Sequence, residues 1–379
     1  MEIPARMHEL LYTPAVFAIK DYYQIMVMAR TDLLFWVSVG DENYYDHSNG
    51  IVRSSTRMHR VNVPVEELDA AGEYTVHYRR IIDRKPYFPT TEPEETQTFK
   101  FRGLPKEGPI RIYHLSDTHS HFSKPAAAST YFGDDLDLFI LNGDIPNHSG
   151  DIKYFDLIYQ LCEAATGGAR PCIFSRGNHD TRGFFAENIA EYTPTEDGHS
   201  YFSFRLGRLW GIVLDCGEDK WDWHAEYGGT VSCTQFRKEE TKYFEKVIKY
   251  ADEEYNAPGV DYRVAICHVP FMRQAGNNDF DPDPEIFIDW CKKLKDDVRA
   301  QVMLCGHFHC TRIYEIGGDI DQKGQPCTVV VGSRDVLDEN RKRVSFVGGA
   351  YTIDGDKMKV EFTNSDHEVL EEHIVDLNV

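Results

Sequence analysis

The sequence predicts an α/β domain preceded by a small all-β domain, on three observations. From Ile110 onward short apolar runs alternate with longer amphipathic stretches. Residues 1–105 instead hold short strand-like segments with turn residues between them. A stretch with two prolines and two charges, Leu104-Pro105-Lys106-Glu107-Gly108-Pro109, separates the two patterns and reads as a linker.

In the first part, Tyr23–Ala29, Leu33–Val39, Arg60–Val63, Gly72–Arg79 and Thr96–Phe101 are short and rich in Val, Tyr and Phe, as strands are. Asp41-Glu42-Asn43, Ser48-Asn49-Gly50 and Ala71-Gly72 supply turn chemistry between them. Regular spacing of this kind predicts a β-sandwich over residues 1–105. The second domain, residues 110–379, has buried-strand runs at Ile110–Leu115, Leu138–Leu141, Cys172–Phe174, Leu209–Leu214, Val264–Cys267, Val302–Cys305 and Thr328–Val331. Helices are expected at Ile152–Ala165, Gln235–Tyr250 and Pro284–Leu294, and a closing hairpin at Ala350–Phe362 turning on Asp354-Gly355.

Composition narrows the function. The 379 residues carry a formal charge of −21, which repels a polynucleotide backbone, so nucleic acid is an unlikely partner. No run of eighteen apolar residues predicts a membrane span. The N-terminal stretch is interrupted by Pro14 and carries Glu2 and Glu9, so no signal peptide is expected. Nine cysteines without paired spacing fit reduced thiols and a cytoplasmic location. Nothing fixes an oligomeric state.

Five polar blocks follow, four of them directly after an apolar run. They are Asp117-Thr118-His119, Gly143-Asp144, Gly177-Asn178-His179-Asp180, His268 and Gly306-His307-Phe308-His309. Ligand crevices in open α/β sheets lie at the carboxyl ends of strands, so the blocks are expected on one sheet edge. Carboxylates, imidazoles and one amide oxygen form a donor set suited to Mn²⁺, Fe²⁺ or Zn²⁺. Gly143, Gly177 and Gly306 are expected to let the backbone turn sharply before each ligand. Strand alternation would put both members of each pair, His307 with His309 and Asp117 with His119, on one face.

These blocks, in this order, resemble the calcineurin-like metallophosphoesterase superfamily, over roughly residues 110–335. The resemblance implies a four-layer α-β-β-α sandwich and two divalent metal ions. Asp117, His119 and His309 would hold one ion, Asn178, His268 and His307 the other, and Asp144 would bridge them. A water shared by the ions would attack a small-molecule phosphate mono- or diester, and His179 would protonate the leaving oxygen, with Asp180 orienting that imidazole or holding a turn. The β-domain in front resembles the arrangement in purple acid phosphatases. Where that arrangement implies a tyrosine three residues after the bridging aspartate, this sequence has Asn147, so a coloured ferric site is not expected.

Weaker candidates surround the blocks. Arg176 and Arg182 are expected to bind substrate phosphate, with Arg273 near them. His121 and His148 could enter the cleft. Trp221-Asp222-Trp223-His224 with Tyr227-Gly228-Gly229 reads as a long loop that could wall it. Two other classes of function fit the sequence less well: a binding scaffold that has lost catalysis, and a nuclease. A scaffold would lack ligands or the acid, and here all eight positions are filled; a nuclease would need basic tracts.

Overall fold

The structure, a computed structural model, describes residues 6–274 and 281–378. Glu2, part of the N-terminal reading, lies outside them. Two large sheets dominate the fold. Across the first, strands run Val369–Asp376, Lys357–Asn364, Arg343–Asp354, Ile110–Leu115, Leu138–Asn142, Cys172–Ser175, Ala15–Ile19, Tyr22–Met28 and Met58–Pro64, with Arg334–Leu337 paired to Arg343–Asp354 at its side. Across the second they run Phe202–Leu206, Leu209–Leu214, Tyr262–Cys267, Val302–Cys305, Thr328–Gly332 and Thr311–Tyr314.

Period-two alternation builds the layers. Ile110, Ile112, Leu138 and Ile140 face the second sheet, where Val264, Ile266, Val302 and Leu304 meet them. Their neighbours Tyr113, Leu115, Phe139 and Leu141 face the other way, onto Ile158 and Leu161 of the helix Asp156–Thr166. On the far side, Trp210, Ile212 and Met303 pack against Phe244 of the helix Cys233–Lys249 and Trp290 of Pro284–Lys292. Helix, sheet, sheet and helix are thus stacked in four layers, as expected.

The three expected helices are present with shifted ends. The first begins as a 3-10 turn, Ile152–Phe155, and the third runs on into a π turn, Lys293–Val298. A helix at Val65–Ala71 interrupts the segment read as all-β. The closing hairpin gains a third strand, Val369–Asp376.

The N-terminal β-sandwich is present, but its boundary differs from the expected one. A sheet of Glu95–Lys100, Glu73–Asp83, Leu33–Val39 and Glu42–Tyr45 forms one wall. The other wall is the end of the first large sheet: Ala15–Ile19 pairs in parallel with the strand Cys172–Ser175 (Phe17 opposite Cys172), and Tyr22–Met28 and Met58–Pro64 follow. Phe35 and Val37 therefore share one core with Ile110 and Val264. Leu104–Pro109 breaks the strand pattern along the chain without breaking the sheet.

Among the described residues no helix is long and apolar enough to cross a membrane.

Candidate metal centre

All five polar blocks arrive at the same edge of the two sheets, just past the strands that precede them. Donor atoms of Asp117, His119 and His309 lie within 4.8 Å of one another, as do those of Asp144, His268 and His307, and those of His119, Asp144 and His179. Asp144 thus belongs to a set on each side, as a bridging carboxylate must. Asn178 joins the second side, its Oδ1 3.0 Å from His307 Nδ1.

The backbone that delivers these groups is not strand. Asp117, His119, Asp144, His307 and His309 all have φ between 46° and 68°, the left-handed region that non-glycine residues rarely enter. The expectation that strand alternation pairs His307 with His309 is corrected here. The strand ends at Cys305, and left-handed turns send His307 toward Asn178 and His309 toward Asp117. The glycines also need correcting. Gly143 has φ +77°, but Gly177 and Gly306 lie outside the left-handed region and are small because space requires it. A Cβ on Gly177 would sit 2.3 Å from Asp144 Oδ1, and one on Gly306 would sit 2.7 Å from Asp117 Oδ2.

Second contacts fix how each ligand points. His268 Nδ1 bonds the carbonyl of Asn142 at 2.6 Å, which turns the lone pair of Nε2 toward Asp144 Oδ2, 3.1 Å away. That Nε2 is buried without a hydrogen-bond partner, and so is His119 Nδ1. The Asp117 carboxylate accepts from Ser116 Oγ at 2.6 Å and from the His307 N–H.

Electrostatics show what the centre lacks. Burial pushes the His268 imidazole down, but Asp144 and Asp117 beside it outweigh burial and hold it up at about 10. Burial pushes Asp144 up, and the imidazoles of His268, His179 and His119 drag it well below the carboxylate range. Burial drives His119 and His307 down to about 4, leaving them neutral. Two deeply buried carboxylates thus draw a proton onto His268, the role a divalent cation fills in such a donor set. Orphaned nitrogen, neutral imidazoles and buried acids fit a metal site.

His179 stands beside the ligands with Nε2 4.0 Å from Asp144 Oδ2, its Nδ1 bonded to the carbonyl of Asn147 at 2.8 Å. Asp180 does not orient it. The Asp180 Oδ2 accepts instead from the N–H groups of Gly177 at 2.7 Å and Asp144 at 3.2 Å, so this residue holds the turn.

The two arginines expected to bind substrate phosphate are corrected as well. Arg182 is saturated by acids: Nε and Nη2 reach Glu218 at 2.8 and 2.7 Å, and Nη1 reaches Glu226 at 2.9 Å. Arg176 pairs with Asp215 at 2.7 Å and lies over the Phe236 ring. Neither lines the main cleft beside the ligands, about 600 Å³ in volume. His121 and His148 do line it. Arg273 lies over Phe308 and lines a smaller cleft of about 280 Å³ beside His307. The Trp221–Gly229 loop is anchored through Asp222 and Tyr227, with Trp223 left 69% exposed. Asp222 caps the helix Cys233–Lys249 by accepting from the N–H groups of Cys233 and Thr234, and Tyr227 is buried.

Three groups escaped the sequence reading. Asp219 Oδ2 lies 3.7 Å from His307 Nε2, and Asp335 and Arg343 line the main cleft. Asp219 and Asp335 follow the apolar runs Leu209–Leu214 and Thr328–Gly332, so the strand-end logic that found the five blocks would have nominated them.

Comparison with known proteins agrees with this geometry. The sequence profile described as calcineurin-like phosphoesterase matches residues 110–311. Purple acid phosphatase PPD1 from yellow lupin (Lupinus luteus) seeds superposes with a TM-score of 0.58 at 12% identity, covering 96% of this chain and 74% of that one. PhoD superposes with a TM-score of 0.54 at 12% identity, covering 98% and 90%. At these identities the likeness is one of fold. No curated protein matches the chain in sequence.

Proposed function

The chain belongs to the calcineurin-like phosphoesterase family, and from that premise we propose that it hydrolyses a small-molecule phosphate mono- or diester at a centre of two divalent ions, Mn²⁺, Fe²⁺ or Zn²⁺. One observation carries this reading: Asp144 lies within ligand distance of donors on both sides, His119 on one and His268 with His307 on the other. Asp117, His119 and His309 would hold one ion, and Asn178, His268 and His307 the other. When bound, the ions supply positive charge to the phosphoryl oxygens and acidity to water.

The chain's own residues do the rest. The Asn142 and Asn147 carbonyls hold His268 and His179 in fixed tautomers. With Nδ1–H donated to the Asn147 carbonyl, His179 in its doubly protonated form would carry a second N–H on Nε2, facing the cleft, and pass that proton to the departing oxygen. Buried walls around Asp117 and Asp144 keep bulk water from screening the charges. Asn147, where the purple enzymes' arrangement implies a tyrosine, supports a colourless divalent pair. Nine unpaired cysteines support a reducing compartment such as the cytoplasm.

Purified protein reconstituted in turn with Mn²⁺, Fe²⁺ and Zn²⁺ is expected to cleave a chromogenic phosphate monoester or diester. Inactivity with every ion on both ester classes would overturn the reading.

A further inference from the structure

Among the described residues lining the 600 Å³ cleft, Arg343 is the one permanent cation. It opens the strand Arg343–Asp354 and sits opposite Leu337 in a hairpin with Arg334–Leu337. The turn of that hairpin is tied down by Asp338, whose Oδ1 accepts from the N–H groups of Asn340 and Lys342 at 2.9 and 2.8 Å. Arg343 is thus delivered to the cleft by ordered backbone.

Its guanidinium is left incomplete. Nη2 pairs with Asp335, but Nε and Nη1 are buried with no partner, and so is Asp335 Oδ1. Arg182 shows what a finished structural arginine looks like here, with all three nitrogens on acids. Leaving two buried donors of a cation empty is costly, and each can donate to an oxyanion oxygen. Asp335, paired with Arg343, lines the same cleft as His309. Its negative charge screens Arg343 from the phosphate that the ions would hold.

Resting on the hydrolase reading above, we propose that Arg343 binds a second oxyanion of the substrate, a phosphate or carboxylate on the leaving group. It would thereby set a preference for esters whose leaving group bears a second oxyanion group. Asp335 occupies the guanidinium until that group arrives.

The test is calorimetric binding to the Mn²⁺-loaded protein, with pyrophosphate and phosphonoacetate as probes carrying two oxyanion groups and orthophosphate and methylphosphonate as probes carrying one. Arg343→Gln is expected to weaken the first pair about tenfold or more and the second pair less than about threefold. Asp335→Asn, which frees the fork without removing it, is expected to tighten the first pair. Equal losses in both pairs, or none in either, would overturn the proposal. Should Arg343→Gln fail to fold, unchanged or weaker pyrophosphate binding by Asp335→Asn would overturn it as well. Binding is read without turnover. A wild-type protein that discriminates the probes yet cleaves no ester would therefore strike the hydrolase reading and leave Arg343 standing.

Discussion

His119 and His309 stack with ring centroids 4.8 Å apart and planes within 8°, and their Nε2 atoms approach to 3.2 Å. Asp117 Oδ1 lies 3.6 Å from the same nitrogen of His309. With His119 neutral, this convergence of lone pairs on one point is what a cation would resolve. Replacing His309 with Ala is expected to remove about one ion per chain and lower activity more than about 100-fold, beyond the loss typical of residues that only support ligands. Asp144→Ala is expected to remove both ions, because it serves both sets. Elemental analysis after gel filtration reads the difference. Two ions retained by Asp144→Ala would sink the bridging assignment.

His179 is expected to behave differently. It packs edge-on against His119, ring centroids 4.7 Å apart, and its ring is anchored by the Asn147 carbonyl. His179→Ala should slow turnover about 10²- to 10⁴-fold, the range for a lost proton donor, with metal content unchanged. An ester with a very acidic leaving group, which needs no protonation, should lose much less. Equal losses on good and poor leaving groups would show that His179 is not the acid.

Both donor sets could be read from sequence because each member sits within a few residues of the strand that aims it. Five polar blocks, four directly after an apolar run and three with a glycine, are local signals. What was missed is long-range. Nothing near Arg182 in the chain announces that Glu218 will claim it, and nothing near Ala15 announces pairing with the strand at Cys172. Val65–Ala71 escaped because seven residues show too little periodicity, although Gly72 at φ +67° closes it in the usual left-handed way.

Asp180 separates a positioning role from a catalytic one. It is fully buried, and burial, followed by the charge of Asp144, pushes its carboxyl up to about 8. In the metal-free chain it therefore carries a proton at neutral pH, while its Oδ2 caps the N–H groups of Gly177 and Asp144. Asp180→Asn keeps a neutral acceptor and is expected to cost less than about 1 kcal/mol. Asp180→Ala strands two buried donors and is expected to cost about 2–4 kcal/mol. Urea unfolding of the two variants reads the gap. If Asp180→Asn were as damaging as Asp180→Ala, the residue would have to act as a charge.

His114 sets a pH limit on the fold itself. It lies fully buried on the strand Ile110–Leu115, with Nδ1 bonded to the Tyr351 hydroxyl at 2.8 Å and Nε2 without a partner. Burial, then the charge of His268, pushes it down from 6.5 to about 3. Between those values the unfolded chain takes a proton that the folded chain refuses, so stability is full above pH 6.5 and falls as pH drops toward 3. Half of that window costs roughly 2 kcal/mol, at 1.36 kcal/mol per pH unit. His114→Gln keeps a neutral partner for Tyr351 and has nothing to titrate. Its stability, followed by urea unfolding from pH 7.5 to 5 with chelator in both samples, is expected to fall by about 2 kcal/mol less than wild type. Since both proteins are metal-free, release of ions cannot produce the divergence. Parallel curves would mean that His114 is already protonated in the fold, or that its site opens before it titrates.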